Sequence, residues 1–189
     1  MLRKMILVSA ITIAITAHAA NQTDMAKLSQ MASTTRGLDL SNADLRNYAF
    51  STGKISLQNA NLSHSDLSKV NLEKVNLSHA DLSYANLQNA NLTGANLANA
   101  NLAHADLSRA ILNQADLTNA ILSFSALIGA SLQQANLSGS NFSCANFNNA
   151  DLSQANFNRA NISSATFINT ITTNILNYDS VTDNKIGCS

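Results

Sequence analysis

His64, His79 and His104 are the residues of this 189-residue sequence that suggest a metal ion. The many Ser and Asp side chains are those that could supply a nucleophile or an acid–base pair. Metal ligation needs every donor about 2 Å from one ion, and catalysis needs its groups within hydrogen-bond reach of each other. Whether the chain brings them that close depends on the elements between them.

Those elements are set by a repeat. Counting in fives from Leu57, a large apolar residue recurs at every step to Phe167, giving 23 consecutive units. Two positions before it stands a small residue, nearly always Ala, as in Ala85, Ala90 and Ala95. Between them is Asn or Asp in most units, as in Asn61, Asp66, Asn71 and Asp81. A period of five fits neither the 3.6 of an α-helix nor the 2.0 of a strand, so the chain must bend at regular intervals. If each unit is one short side and one bend, four units close a coil of twenty residues with Leu and Ala inward. Stacked coils then lie about 4.8 Å apart and pair their amides. The absence of proline from the whole chain suits a backbone whose N–H groups are all committed.

Units such as Ala85-Asn86-Leu87-Gln88-Asn89 and Ala105-Asp106-Leu107-Ser108-Arg109 resemble the A(N/D)LXX pattern of the pentapeptide repeat family over about residues 38–169. The resemblance implies an all-β fold, a right-handed quadrilateral β-helix, and no particular activity. Well-understood members resemble duplex DNA in shape and charge and act on DNA gyrase in the cytoplasm.

Leu40, Leu45 and Phe50 extend the series upstream, after which seven residues separate Phe50 from Leu57. Ser51 to Lys54 are expected to bulge as a loop, with Ile55 in the small-residue place. The total of 26 units makes about 6.5 coils and a rod about 30 Å long. Met25, Leu28 and Met31 recur at helical spacing behind Thr23, so residues 20–37 are expected to cap the rod with a short helix over 22–36. Downstream, Ile171, Leu176, Val181 and Ile186 step by five in a shifted register, and residues 170–189 are read as an irregular C-terminal cap. Open solenoid ends expose unpaired edges, which is why caps are expected.

Arg3 and Lys4, the apolar run Met5 to Thr16 and Ala17-His18-Ala19 form a signal-peptide pattern over residues 1–19. The apolar run is shorter than the ~20 residues that span a bilayer, so export to the periplasm or beyond is expected and stable membrane insertion is not. Cleavage leaves nine basic residues against 11 acidic ones, a formal charge of −2, and no basic cluster to meet a nucleic acid. In an oxidising compartment Cys144 and Cys188 are candidates for a disulfide. Spacing alone leaves open either a bridge or two free thiols.

With coils stacked, residues twenty apart form columns. His64 and His104 then stand two coils apart, near 10 Å, and His79 is in another column, so no metal site is expected. A rod filled with Leu offers no pocket, and the Ser and Asp residues are accounted for by turns and surface. No catalytic residue or cofactor is expected. The column His64, Tyr84, His104, Phe124, Cys144, Ser164 is unusual, and beside Phe124 lie Ile121, Ala126 and Ile128, with Ile111 a coil or less away. Ile111, Ile121, Phe124, Ala126, Ile128 and Tyr84 are the candidate partner-contact residues, because exposed apolar clusters often mark partner surfaces. The alternative for the cluster is local drift in a degenerate repeat.

Two functions of different class follow. One is a non-enzymatic, exported interaction or scaffold module that meets a protein partner or forms a homodimer. The other, by family analogy, is a DNA-mimicking modulator of DNA gyrase or another topoisomerase. The repeat body from 57 to 167 holds six acidic residues against four basic ones, which is sparse for a mimic of duplex DNA.

Overall fold

The computed structural model describes residues 39–46, 50 and 56–177. The expected signal peptide over 1–19, the helix over 22–36, the bulge at Ser51 to Lys54 with Ile55, and the cap beyond Asn177 lie outside these residues.

From Ser56↔Asn76 to Asn156↔Leu176, every backbone bridge is parallel and joins residues twenty apart. One coil therefore takes twenty residues and four five-residue units. Each described unit contributes a single bridging residue, in most of them the Asn or Asp before the central apolar residue, so the described residues pair through isolated bridges and not through continuous strands.

The unit at 105–109 shows why the sequence has this form, because all five of its N–H groups have acceptors. Ala105 N–H donates to Leu102 O at 3.1 Å and closes the preceding turn, and Asp106 N–H reaches back one coil to Ala85 O at 3.0 Å. Leu107 and Arg109 donate forward one coil, to Ala126 O at 2.7 Å and Ile128 O at 2.9 Å. The remaining donor, Ser108 N–H, bonds the Asp106 carboxylate at 2.9 Å. Four donors are thus met by backbone and the fifth by the Asn or Asp side chain, a role repeated by Asn61, Asp66, Asp81 and Asn101. Proline in any place of the unit would remove one of these bonds.

The bend falls two residues after the central Leu, where φ is near +60° whatever the side chain, as at His64, Lys69, Asn99 and Phe124. This left-handed corner is the third residue of a turn closed by a bond such as Ala90 N–H to Leu87 O, and Gly94, Gly129 and Gly139 occupy the same place.

Leu and Ala fill the interior. The central residues from Leu62 to Phe157 and the alanines two before them are buried, and Phe142, Phe147 and Phe157 replace Leu in the later coils. Ser65 and Ser125 stand in the alanine place, each turning its hydroxyl onto the carbonyl three residues earlier, at 2.6 and 2.7 Å, and among the described residues no buried side-chain polar atom lacks a hydrogen-bond partner.

The first coil departs from the rule. Asp39↔Asn61 and Asp44↔Asp66 span twenty-two residues, so two extra residues are accommodated between Asp44 and Ser56, where the sequence lengthens its step from Phe50 to Leu57. The other end departs from expectation. Ile171 and Leu176 do not start a shifted register. They bridge Asp151 and Asn156 in the outward column that holds Asn or Asp elsewhere, and both are exposed. The coil below sets the frame through Leu152 N–H to Ile171 O and Gln154 N–H to Thr173 O, and left-handed corners at Asn169 and Asn174 keep the five-residue step. The backbone pairing of the coils thus continues to Leu176.

Candidate functional site

The four sides of the rod follow from the columns. Side 1 carries Leu57, Leu77 and Leu97 at its centre, side 2 Leu62, Leu82 and Leu102, side 3 Leu67, Leu87 and Leu107, and side 4 Leu72, Leu92 and Leu112. Sides 2 and 4 are opposite.

At the corner between sides 2 and 3, His64, Tyr84, His104 and Phe124 stack as a continuous ladder. Ring centroids are 4.9, 4.6 and 5.0 Å apart down the column, and successive planes lie within 4° of parallel. The left-handed corner aims each side chain out of the rod at the same angle, and the coil repeat sets the rings at stacking distance. Tyr84 stays 53% exposed and Phe124 46%. Because the inner faces are taken by neighbouring rings, the ladder presents ring edges to solvent. His64 and His104 have the Tyr84 ring between them and do not converge on one point. Among the described residues no group of three or more His, Cys, Asp or Glu side chains gathers.

Phe124 ends the ladder inside an apolar coil. Ile121 is exposed on side 2, Ala126 is half-buried and Ile128 exposed on side 3, and Phe124 is at the corner joining them. Ile121 and Ala126 both occupy the Asn/Asp place, bridging Asn101 with Asn141 and Asp106 with Asn146. Neither can supply the side-chain oxygen that elsewhere receives the turn N–H. Ile111 is placed differently. It bridges Asn91 and Ser131 on side 4, across the rod from Ile121, and forms no common face with Phe124. Grouping it with the patch rested on distance along the chain, whereas the square section separates two sides by the width of the rod.

Below Phe124 in the same column is Cys144, which is disulfide-bonded. Cys188, the only other cysteine of the chain, lies outside the described residues.

The charged groups are dispersed. Asp66 and Asp106 are on side 3 with Asn86 between them, Asp81 is on side 2, Asp116 on side 1 and Asp151 on side 4. Burial pushes the Asp106 carboxyl upward, but the Ser108 hydroxyl, the Gln88 amide and the Ser108 N–H together hold it below the usual range. Asp151 is depressed in the same way against its own burial, by the Ser153 hydroxyl, Gln133 and the Ser153 N–H. Arg46 bonds Asp44 at 2.6 Å and lies 3.5 Å from Asp66, which raises its guanidinium above the ordinary value. Sequence reasoning did not single out the Gln88 and Gln133 amides, each of which reaches an Asp one coil on; their spacing of eighteen residues is the signal that finds them.

A groove of about 660 Å³ is lined by Gln134, Asn136, Gln154, Asn156, Asn174 and Leu176. Its polar groups are neutral amides, which are poor nucleophiles and poor general bases. No helix among the described residues is long and apolar enough to cross a membrane.

The family model described as pentapeptide repeats matches the chain in eight copies, over residues 55–94, 85–123, 95–134, 120–159 and 130–169. No curated protein matches the chain. Among solved structures, a pentapeptide repeat protein from the Arabidopsis thaliana thylakoid lumen is 29% identical with a TM-score of 0.44, the match covering 45% of this chain and 59% of that one. This chain thus spans less than two thirds of that protein's length. HetL, a pentapeptide repeat protein involved in heterocyst differentiation regulation in Nostoc sp. strain PCC 7120, is 23% identical with a TM-score of 0.32, over 84% of this chain and 95% of that one. QnrB1, a plasmid-mediated fluoroquinolone resistance protein, is 19% identical with a TM-score of 0.47, over 79% of this chain and 82% of that one.

Proposed function

Since the chain belongs to the pentapeptide repeat family, whose members form right-handed quadrilateral β-helices, we propose that it is an exported, non-enzymatic rod that binds a protein, through the corner carrying Tyr84, Phe124, Ile121, Ala126 and Ile128. Proteins of this family are in general structural or interaction modules. The observation that carries the reading is the coil at 121–128. There the repeat gives up its turn-bonding Asn or Asp at two successive units, Ile121 and Ala126, and Ile121, Phe124 and Ile128 are exposed. A departure from a local rule that also leaves apolar surface exposed is what a partner surface requires and what solubility disfavours. The signal-peptide pattern of residues 1–19 supports export to the periplasm or beyond.

Mimicry of duplex DNA at a topoisomerase is the less supported alternative, because a duplex presents one negative charge per ~1.7 Å of axis. Here the acids of the repeat body are divided among four sides, interleaved with Lys69, Lys74, Arg109 and Arg159.

The test is cell fractionation with light scattering on the processed protein and on Phe124→Asp combined with Ile128→Asp. Export, together with a homodimer or a purified complex that the double substitution dissolves without unfolding the rod, is the expected result. Retention in the cytoplasm and inhibition of gyrase supercoiling by the mature chain would reverse the order of the two readings.

A further inference from the structure

Side 3 lays out its charge in two stripes. Asp66, Asn86, Asp106 and Ala126 follow one another down its bridging column, and Lys69, Asn89, Arg109 and Gly129 down its far corner, three residues later in each unit. Level for level, the first column reads acid, amide, acid, small, and the second reads base, amide, base, small. Between the two runs the column of Ser68, Gln88, Ser108 and the exposed Ile128. The stripes do not neutralise each other within the chain. Among the described residues neither Lys69 nor Arg109 is within ion-pair distance of a carboxylate. The Arg109 stem follows its corner instead, so that a Cβ on Gly129 would stand 3.6 Å from its Cγ. The acids are held in their own column, where Asp66 accepts from the Asn86 amide at 3.2 Å and Asp106 from the Ser108 N–H at 2.9 Å.

We propose that side 3 is a self-docking face, on which a second copy of the chain lies side by side and parallel, related by a two-fold axis along the rods. The inference rests on the reading that this part of the rod binds a protein, and it names that protein. A half-turn about such an axis keeps every coil at its own level and lays the bridging column of one copy over the corner column of the other. Asp66 then faces Lys69 of the second copy, Asn86 faces Asn89, and Asp106 faces Arg109, and the symmetry makes each contact twice. At the fourth level Ala126 faces Gly129, where no side chain larger than a methyl group intervenes, and Ile128 meets its own counterpart. Phe124, on the adjoining corner, borders the contact. An antiparallel pair turns each column onto itself, acids towards acids and bases towards bases. The charges therefore fix direction and register, and Ile128 with Phe124 supplies apolar area.

Sedimentation velocity on the processed protein reads the pairing. Wild type is expected to dimerise, and Arg109→Asp and Asp106→Arg are each expected to weaken the dimer about tenfold or more, because either change sets like charges face to face at both symmetric contacts. Mixed in equal amounts, the two variants should recover dimers close to wild type in strength, since a copy with two acids at this level then meets a copy with two bases. Asp106→Arg also removes the acceptor of the Ser108 N–H, an oxygen that the units of Ile121 and Ala126 already lack. Recovery in the mixture separates a lost contact from a lost fold. A dimer that neither variant weakens, or that Arg109→Asp strengthens, would overturn the parallel face, as would two weakened variants that stay monomeric when mixed. A wild-type monomer at the highest soluble concentration would overturn self-docking altogether. If that monomer still captured a foreign protein, and Phe124→Asp with Ile128→Asp abolished the capture, the reading of this surface as a protein-binding one would survive the failure; with no capture it would fall as well.

Discussion

The phenol ring of Tyr84 lies flat on the imidazole of His104, with centroids 4.6 Å apart and planes 3° from parallel. The two residues are twenty apart and belong to successive coils, so their contact is set wholly by the coil repeat. Stacked pairs are worth about 0.5–1.5 kcal/mol beyond area burial. Tyr84→Ala is therefore expected to lower stability by about 1 kcal/mol in urea denaturation, with Tyr84→Phe near neutral. A cycle with His104→Ala should show the two losses to be coupled, because both substitutions remove the same contact.

Gly94 and Gly139 share the left-handed corner, with φ of +62° and +68°, so replacing either by Ala pays the same backbone strain, of order 1–2 kcal/mol. Their surroundings differ. A Cβ at Gly94 would meet Lys74 Cγ at 3.4 Å, whereas one at Gly139 would collide with Asn119 Oδ1. Thermal unfolding should show Gly139→Ala to be the more damaging of the two. Adding Asn119→Ala should return Gly139→Ala to the level of Gly94→Ala.

Leu107 is fully buried at the centre of side 3, between Leu87 and Leu127 in its column. Removing its side chain opens a cavity that coils locked to their neighbours by backbone bonds cannot close by moving together. Leu107→Ala is expected to cost 2–5 kcal/mol, roughly the range for buried leucines, in chemical denaturation. Ala105→Leu should also destabilise, through overpacking, because the alanine place lies beside the central residues and is itself buried.

How much of this was legible in the sequence follows from which contacts are local. The five-residue unit is closed by its own turn and its own Asn or Asp, so the coil, its columns and its interior could be read from spacing alone. The ladder's members were visible for the same reason, since His64, Tyr84, His104 and Phe124 differ by twenty. The side on which a residue falls depends on counting units around a square, and Ile111 was misjoined to the patch on that account. At the C-terminal end, hydrophobicity pointed to a shifted frame at Ile171 and Leu176, but the hydrogen bonds offered by the preceding coil outweighed it. Cross-coil pairs such as Gln88 with Asp106 were missed, because a Gln in a polar outward place is unremarkable until the next coil is set beside it.

Asp106 and Asp151 have carboxyls held below the ordinary range, each by a Ser two residues on and a Gln of the preceding coil acting against the upward pull of burial. In the unfolded chain both return to the ordinary carboxylate value, near 4. Between the folded and unfolded values the unfolded state binds more protons, so the bonds stabilise the rod above about pH 4 and are lost as pH falls through the folded values. Both sites are largely solvated, which limits each contribution to less than about 1 kcal/mol. Urea midpoints measured from pH 7 down to pH 2.5 should fall more for wild type than for Asp106→Asn combined with Asp151→Asn. Asn is the commonest residue at this place in the repeat and keeps the oxygen that receives the Ser N–H, so the variant should fold normally at pH 7. Parallel curves for the two proteins would show that the paired carboxylates contribute nothing to the acid sensitivity of the rod.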